Sequence, residues 1–188
     1  METERTEINH CLFDTAIGPC GVAWSGRGLV AVQLPEADRA TTERRLAARA
    51  HSGGAAAPPP WVAALIADVT RYLGGERVDF SAVPVDLGGL DPFRRRLYDA
   101  MRALAWGTTT TYGALARELG LAEWEGARDV GEAMGRNPVP IVIPCHRVLA
   151  AGNKLSGFSA RGGAATKAKL LALEGVHLDA TAPRLPGL

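Results

Sequence analysis

The sequence predicts an α+β protein in two parts, on three observations. Short β-prone pieces crowd into residues 11–34, apolar residues recur at helical spacing through much of the remainder, and one proline-rich apolar stretch, 137–148, fits neither pattern. A chain of 188 residues with 47% hydrophobic and 22% charged residues can bury a core, which excludes wholesale disorder and allows one ordinary domain or two small ones. No run reaches the ~18–20 apolar residues of a membrane span. The polar, acidic start, Met1-Glu-Thr-Glu-Arg-Thr-Glu, is unlike a secretory signal. Three cysteines are too few for a disulfide framework and suit a reducing, cytoplasmic setting.

The elements follow in order. Cys11-Leu-Phe-Asp-Thr, Gly21-Val-Ala-Trp and Gly28-Leu-Val-Ala-Val-Gln-Leu read as strands, the last two joined through Ser25-Gly26-Arg27-Gly28 by hairpin chemistry. Residues 36–50 suit a charged surface helix, and the low-complexity stretch 52–60 an exposed loop. Trp61, Leu65, Val69 and Leu73 recur every four residues as the face of a helix that Gly74-Gly75 ends. Asp79 to Val85 allows one more strand. After the linker Gly88-Gly89, Asp91 is placed as an N-cap with Pro92 at the first helical position, and Phe93, Leu97, Met101 and Leu104 form the apolar face. Thr111 can cap a helix from Tyr112 to Leu119. A loop, 120–125, precedes a helix from Gly126 to Gly135, Gly152-Asn153 centres a tight turn, and the last helix runs from Ala164 to Glu174. Two helices, a tight connection and a turn of strand make a helix-turn-helix with a wing.

Charge is uneven along the chain. Residues 1–90 hold 8 basic and 11 acidic side chains, residues 91–188 hold 13 and 9, and within 126–169 the count is 7 against 2. A polyanion is therefore drawn to the second half, although a plain solvated basic face gives the same count.

Chemistry concentrates at Pro144-Cys145-His146-Arg147, behind Val139-Pro140-Ile141-Val142-Ile143. The prolines hold the backbone out of helix and display Cys145 from a loop. A thiol is a weak nucleophile near neutral pH and needs a base or a positive neighbour. His146 can serve directly or through one water, and Glu174, the only acid of the last helix, can return to orient it. A buried structural cysteine beside a surface histidine is the competing account.

Ile143-Pro-Cys-His-Arg-Val148, with Arg128-Asp-Val-Gly131 and Asn137-Pro138 upstream and Leu170-Leu-Ala-Leu-Glu-Gly175 downstream, resembles the O6-alkylguanine-DNA alkyltransferase family. The likeness runs from about Pro92 to Gly175 and continues, more faintly, in Phe13-Asp-Thr-Ala-Ile-Gly-Pro19 and Gly28-Leu29. It implies a ribonuclease-H-like N-terminal domain over 1–88, a winged-helix-like active domain over 89–175 and a tail over 176–188. It further implies direct-reversal DNA repair, in which an alkyl group on guanine O6, and on thymine O4, passes irreversibly to a cysteine. By the same resemblance Cys145 accepts the alkyl group, His146 takes its proton through water, Glu174 holds His146, and Tyr112 donates to guanine N3.

A lesion inside a duplex is out of reach, so the base must be extruded. Arg128 matches the residue that fills the vacated place, on a helix that enters the minor groove. Small residues there (Gly126, Ala127, Gly131, Ala133) permit close approach to DNA, and Thr111 joins the DNA-binding set. Met134, Pro140, Val148, Phe158 and Ser159 are expected to line the guanine pocket, and Asn137 to tie the helix to the cysteine loop. The partner is double-stranded DNA carrying alkylated guanine. The protein is expected as a cytoplasmic monomer, on the nucleoid while repairing and able to bind DNA cooperatively. No cofactor is required because the thiol is consumed. Some relatives bind zinc in the N-terminal domain, but Cys11, Cys20, His10 and His51 match no zinc spacing and the cysteines read as small strand hydrophobes.

The sequence departs from the family at Phe158 where Tyr is common, at Ala105 where Pro is usual, in two extra residues, Ala160-Arg161, and in a longer loop carrying Trp124. Three other functions compete: a non-catalytic lesion binder, which would lack Cys145; a methylation-triggered transcription factor, which would carry a second acceptor domain; and a relative using a small-molecule alkyl donor.

Overall fold

The computed structural model describes residues 7–178. Three strands open the chain: β1 (Asn9–Thr15), β2 (Gly18–Ser25) and β3 (Gly28–Gln33), paired antiparallel in sequence. Alternation sorts β2 cleanly. Ala23 faces Leu46 and Ala50 of helix α1 (Arg39–Ala50), while Val22 and Trp24 face the opposite core, which holds Val62, Leu65 and Val69 of helix α2 (Pro60–Leu73). Asp38 caps α1 through the amide of Thr41.

Two expectations fail in this half. The low-complexity stretch is not all loop: Gly54–Ala55 forms a short strand, β4, parallel to β1, completing the order β3-β2-β1-β4. Ser52 Oγ, 2.7 Å from His10 Nδ1, anchors it there. Residues 79–85 form no strand. Asp79 turns the chain by accepting from the Ser81 amide, Pro84 has no N–H to give, and only one bridge, Leu29 to Val85, survives.

The second half begins with helix α3 (Pro92–Arg102), capped by Asp91 with Pro92 at its start. A two-residue strand β5 (Thr110–Thr111) leads into helix α4 (Tyr112–Glu118), capped by Thr111 through the Ala114 amide. Helix α5 (Glu123–Gly135) starts inside the expected loop, three residues early; the side chains of Glu123 and Trp124 lie outside the described part, so a role for Trp124 is not addressed. A Cβ on Gly126 would sit 2.6 Å from Leu121 Cβ and 2.9 Å from Ala116 Cβ, so glycine is what lets α5 cross α4 closely. Strand β6 (Val148–Leu149) pairs parallel with β5, and Gly152 and Asn153, both at positive φ, turn the chain between bridged Ala150 and Lys154. Helix α6 (Ala164–Leu173) closes the domain, with Glu174 at its C-cap.

The halves share one continuous core. The sheet's edge strand also reaches across: the Val32 amide donates to the Pro138 carbonyl at 2.9 Å, Arg49 donates to the Asn137 carbonyl, and Arg161 Nη1 donates to the Glu36 carbonyl at 3.1 Å. Arg161 thus tethers the second half of the chain to the first. Among the described residues no helix is long and apolar enough to cross a membrane.

Candidate functional site

Residues 139–149 are buried throughout. The segment closes on itself through the Ile143 amide and the Val139 carbonyl at 2.9 Å. Ile141 adopts φ 76, a conformation costing a β-branched residue about 1–3 kcal/mol, which the surrounding contacts must hold in place. Asn137 does much of this: its Nδ2 donates to the Ile143 carbonyl at 2.7 Å and its Oδ1 accepts from the Val139 amide at 3.0 Å. Both of these side-chain partners lie within the loop, so the bonds brace the loop itself.

Cys145 is not displayed from an open loop. It begins a single 3-10 turn, Cys145–Arg147, and only 4% of it is exposed. Burial pushes its thiol pKa up; a hydrogen bond from Asn137 and the charges of Lys167 and Arg49 oppose that rise. His146 is fully buried rather than at the surface. Burial pulls its pKa down despite Glu174, so the ring is neutral near pH 7. Its Nε2 lies 2.8 Å from Glu174 Oε1. A carboxylate only accepts, so Nε2 carries the hydrogen and Nδ1 is left as the acceptor. Nδ1 is buried and has no hydrogen-bond partner among the described residues, as suits a base.

Glu174 is held by more than His146. Arg147 Nε donates to Oε2 at 2.7 Å and Nη2 to Oε1 at 2.9 Å, the Tyr72 hydroxyl donates to Oε1 at 2.9 Å, and the Gly107 amide donates to Oε2 at 3.3 Å. Burial alone would raise the carboxyl, but the hydrogen bonds from His146 and Arg147 and the Arg147 charge outweigh it and lower its pKa to about 2. Burial and the Glu174 charge push the Tyr72 phenol far up, so it stays a donor.

The thiol lines a cavity of about 330 Å³ with Tyr112, Gly131, Met134, Gly135, Gly157, Phe158 and Ser159. Tyr112 and Gly131 also line a more open groove beside Ala127, exposed Arg128 and Ala150. Through these two shared residues the groove that holds Arg128 adjoins the cavity that holds the sulfur. Met134, Phe158 and Ser159 line this cavity. Pro140 does not: it lines a neighbouring cavity of about 430 Å³ that runs under Phe158 to Gln33, Glu36 and Arg45. Val148 is fully buried in strand β6, and its carbonyl accepts from Lys167. The small residues of α5 also divide. Ala127 and Gly131 face the groove, but Gly126 packs on α4 and Ala133 is 2% exposed, its carbonyl taking the Tyr98 hydroxyl. Helical periodicity puts residues seven apart on one face, and that face is internal. The Thr111 hydroxyl caps α4.

Sequence reasoning passed over Tyr72, Arg147, Ser156 and Lys167. Two signals were present. Arg147 is a lone charge inside an apolar run, and Lys167, Leu170, Leu171 and Glu174 share the i, i+3, i+4, i+7 stripe of α6, so both charges lie on its buried face. In the first half, Cys20 is buried within 3.7 Å of Thr15 Oγ1, and among the described residues no three His, Cys, Asp or Glu side chains converge as a metal site.

Residues 92–176 match the model of the 6-O-methylguanine DNA methyltransferase DNA-binding domain, and residues 8–87 that of the same family's ribonuclease-like domain. The chain is 32% identical over 159 residues to a methylated-DNA–protein-cysteine methyltransferase of Methanothermobacter thermautotrophicus, covering 85% of this chain and 81% of that protein. It is 44% identical over 107 residues to a DNA base-flipping protein of Thermus thermophilus, covering 57% of this chain and 69% of that protein. The crystal structure of Mycobacterium tuberculosis OGT in complex with DNA is similar at a TM-score of 0.68 and 32% identity, over 89% of this chain and 93% of that one.

Proposed function

Because the chain belongs to the 6-O-methylguanine DNA methyltransferase family, with both domains of that family, we propose that Cys145 is the acceptor of the alkyl group and that the cavity beside it receives a flipped O6-alkylguanine. The general activity is direct-reversal repair: the protein binds DNA and moves an alkyl group from it to one of its own cysteines. One observation carries the assignment of the cysteine. Of the three cysteines, Cys145 lines the cavity that shares Tyr112 and Gly131 with the Arg128 groove, and it directly precedes His146, which is hydrogen-bonded to Glu174.

His146 Nδ1 takes the thiol proton through a water, and Glu174 stabilises the imidazolium that results. The sulfur attacks the alkyl carbon, the carbon–O6 bond breaks, and its electron pair stays on the guanine. Tyr112, on the same cavity wall, gives its phenol proton to guanine N3 as that charge develops. Nothing returns the thioether to a thiol, so each molecule acts once.

Duplex DNA lies along the α4–α5 groove by its minor groove, Ala127 and Gly131 allow close approach, Thr111 faces the backbone, and Arg128 fills the space the flipped base leaves. Alkylated thymine O4 is a second substrate. We draw the boundary between a ribonuclease-H-like domain and the active domain at residues 88–89, and place the protein in the cytoplasm as a monomer that works on the nucleoid.

Incubation with duplex DNA bearing O6-methylguanine is expected to add one methyl mass to the peptide holding Cys145, while Cys145→Ala binds the duplex and gains nothing. Methyl found on another residue, or transfer surviving the substitution, overturns the assignment.

A further inference from the structure

Of the three lysines, only Lys167 is enclosed, with no exposed surface. Its Nζ donates to the Val148 carbonyl at 2.5 Å and to Ser156 Oγ at 2.7 Å. Ser156 Oγ in turn lies 3.0 Å from the Tyr112 hydroxyl, and the ammonium sits 5.7 Å from the centre of the Tyr112 ring. A continuous chain thus runs from a buried cation to the phenol on the cavity wall, and the transfer chemistry described above leaves the cation unused.

We propose that Lys167, acting through Ser156, resupplies the proton that the departing guanine takes from Tyr112, and that consumption of the Cys145 thiolate triggers this release. The proposal rests on Tyr112 and Cys145 acting as assigned above. As the sulfur–carbon bond forms and the carbon–O6 pair moves onto guanine, N3 takes the Tyr112 proton. The phenolate takes the Ser156 hydroxyl proton, and Ser156 takes one from Lys167, which ends neutral. Charge balances: thiolate and ammonium before transfer, thioether and amine after it.

The trigger follows from what surrounds the ammonium. Burial lowers the Lys167 pKa to about 8, and the charge of Cys145 is what opposes that fall. The other titratable groups facing it are Tyr112, whose ring lies beneath the ammonium, and His146, whose own proton affinity Lys167 lowers. Once the sulfur is a neutral thioether, the group that favoured the ammonium is gone and burial acts unopposed. Lys167 touches neither base nor alkyl carbon; it is a positioning residue that also stores a proton.

The test is the single-turnover rate of methyl transfer from an O6-methylguanine duplex, measured from pH 6 to 10. Wild type is compared with Ser156→Ala, Lys167→Met and Lys167→Arg, and Ser156→Ala is repeated in a Tyr112→Phe background. Alkylation of Cys145 by iodoacetamide, which needs no leaving-group proton, is followed in parallel. Ser156→Ala is expected to slow transfer at least tenfold, leave the iodoacetamide rate unchanged, and cost nothing more once Tyr112→Phe is present. The wild-type rate should fall above about pH 8, a limb that Lys167→Met and Ser156→Ala both lose. Lys167→Arg keeps the charge but cannot release a proton, so it should retain iodoacetamide reactivity and still transfer slowly. Full transfer by Lys167→Arg, or equal losses from Ser156→Ala in both backgrounds, overturns the relay while leaving Cys145 as acceptor. Methyl on another residue, or an unchanged rate for Tyr112→Phe alone, overturns the assignments beneath it as well.

Discussion

Two charges, Glu174 and Lys167, are buried in the half of the chain that holds Cys145, and they are served very differently. Glu174 Oε1 takes three donors, from Tyr72, His146 and Arg147, and Oε2 two, from Arg147 and Gly107, so its charge is more than compensated and its pKa falls to about 2. Lys167 has two neutral acceptors and a distant thiol, so its charge is under-compensated and its pKa falls to about 8. Donors in excess hold the carboxylate ionised at every physiological pH and so fix the histidine tautomer. A cation short of partners sits near its titration point and can let a proton go. The same burial therefore gives a lock at the carboxylate and a reservoir at the ammonium.

The largest expected effect breaks the lock. Glu174→Gln leaves the Arg147 guanidinium buried without its counter-charge, which costs about 3–5 kcal/mol when one partner of a buried pair is removed. Urea unfolding should show a loss in that range, and a loss under about 1 kcal/mol would mean that water reaches Arg147 and the carboxylate is not its essential partner.

Acid should break the lock next. The folded pKa of Glu174 is depressed, so its contribution is present above the ordinary carboxylate range and disappears as pH falls from about 4.5 toward about 2. That contribution is on the order of 3 kcal/mol by linkage. His146 acts earlier with the same sign: kept neutral by burial, it must take a proton on unfolding below its ordinary pKa, so stability begins to fall under about pH 6.5. Urea midpoints followed downward from pH 7 should show two successive losses. A flat profile to pH 4 would refute the buried neutral imidazole.

How much of this was legible beforehand depended on whether a position obeys a period. Strands β1–β3, helices α1 and α2, and the Asp91-Pro92 and Thr111 caps follow from alternation, four-residue recurrence and capping chemistry, all local. Cys145, His146 and Glu174 were readable because their types are rare in such settings and because the resemblance fixed their order. What failed was non-local. Strand β4 exists because Ser52 meets His10, the segment 79–85 forms no strand because Asp79 turns it, and Gly126 is small because α4 is close, not because DNA is. Tyr72 reads as one more apolar residue of an amphipathic helix, and nothing local says that its hydroxyl meets a carboxylate 102 positions away.

The smallest effect sharpens the comparison most. In Lys167→Met two near-equal contributions oppose each other at pH 7. Removing an ammonium whose pKa has dropped from about 10.4 to about 8 relieves roughly 3 kcal/mol. Leaving the Val148 carbonyl and Ser156 hydroxyl without their donor costs ~1–3 kcal/mol each. The net change should lie within about 1–2 kcal/mol, well under that of Glu174→Gln. Linkage then gives the sign of its pH dependence. A base with a depressed folded pKa binds fewer protons folded than unfolded between about pH 8 and 10.4, so wild type gains stability across that window and the variant does not. Cys145, whose raised pKa works in the opposite direction above about pH 9, is present in both proteins and largely drops out of their difference. Urea midpoints should therefore diverge as pH rises from 8 to 10, with the methionine variant falling behind. Parallel curves would mean that Lys167 keeps the ordinary lysine pKa in the folded protein, and an ammonium that holds its proton that firmly has none to lend to Tyr112.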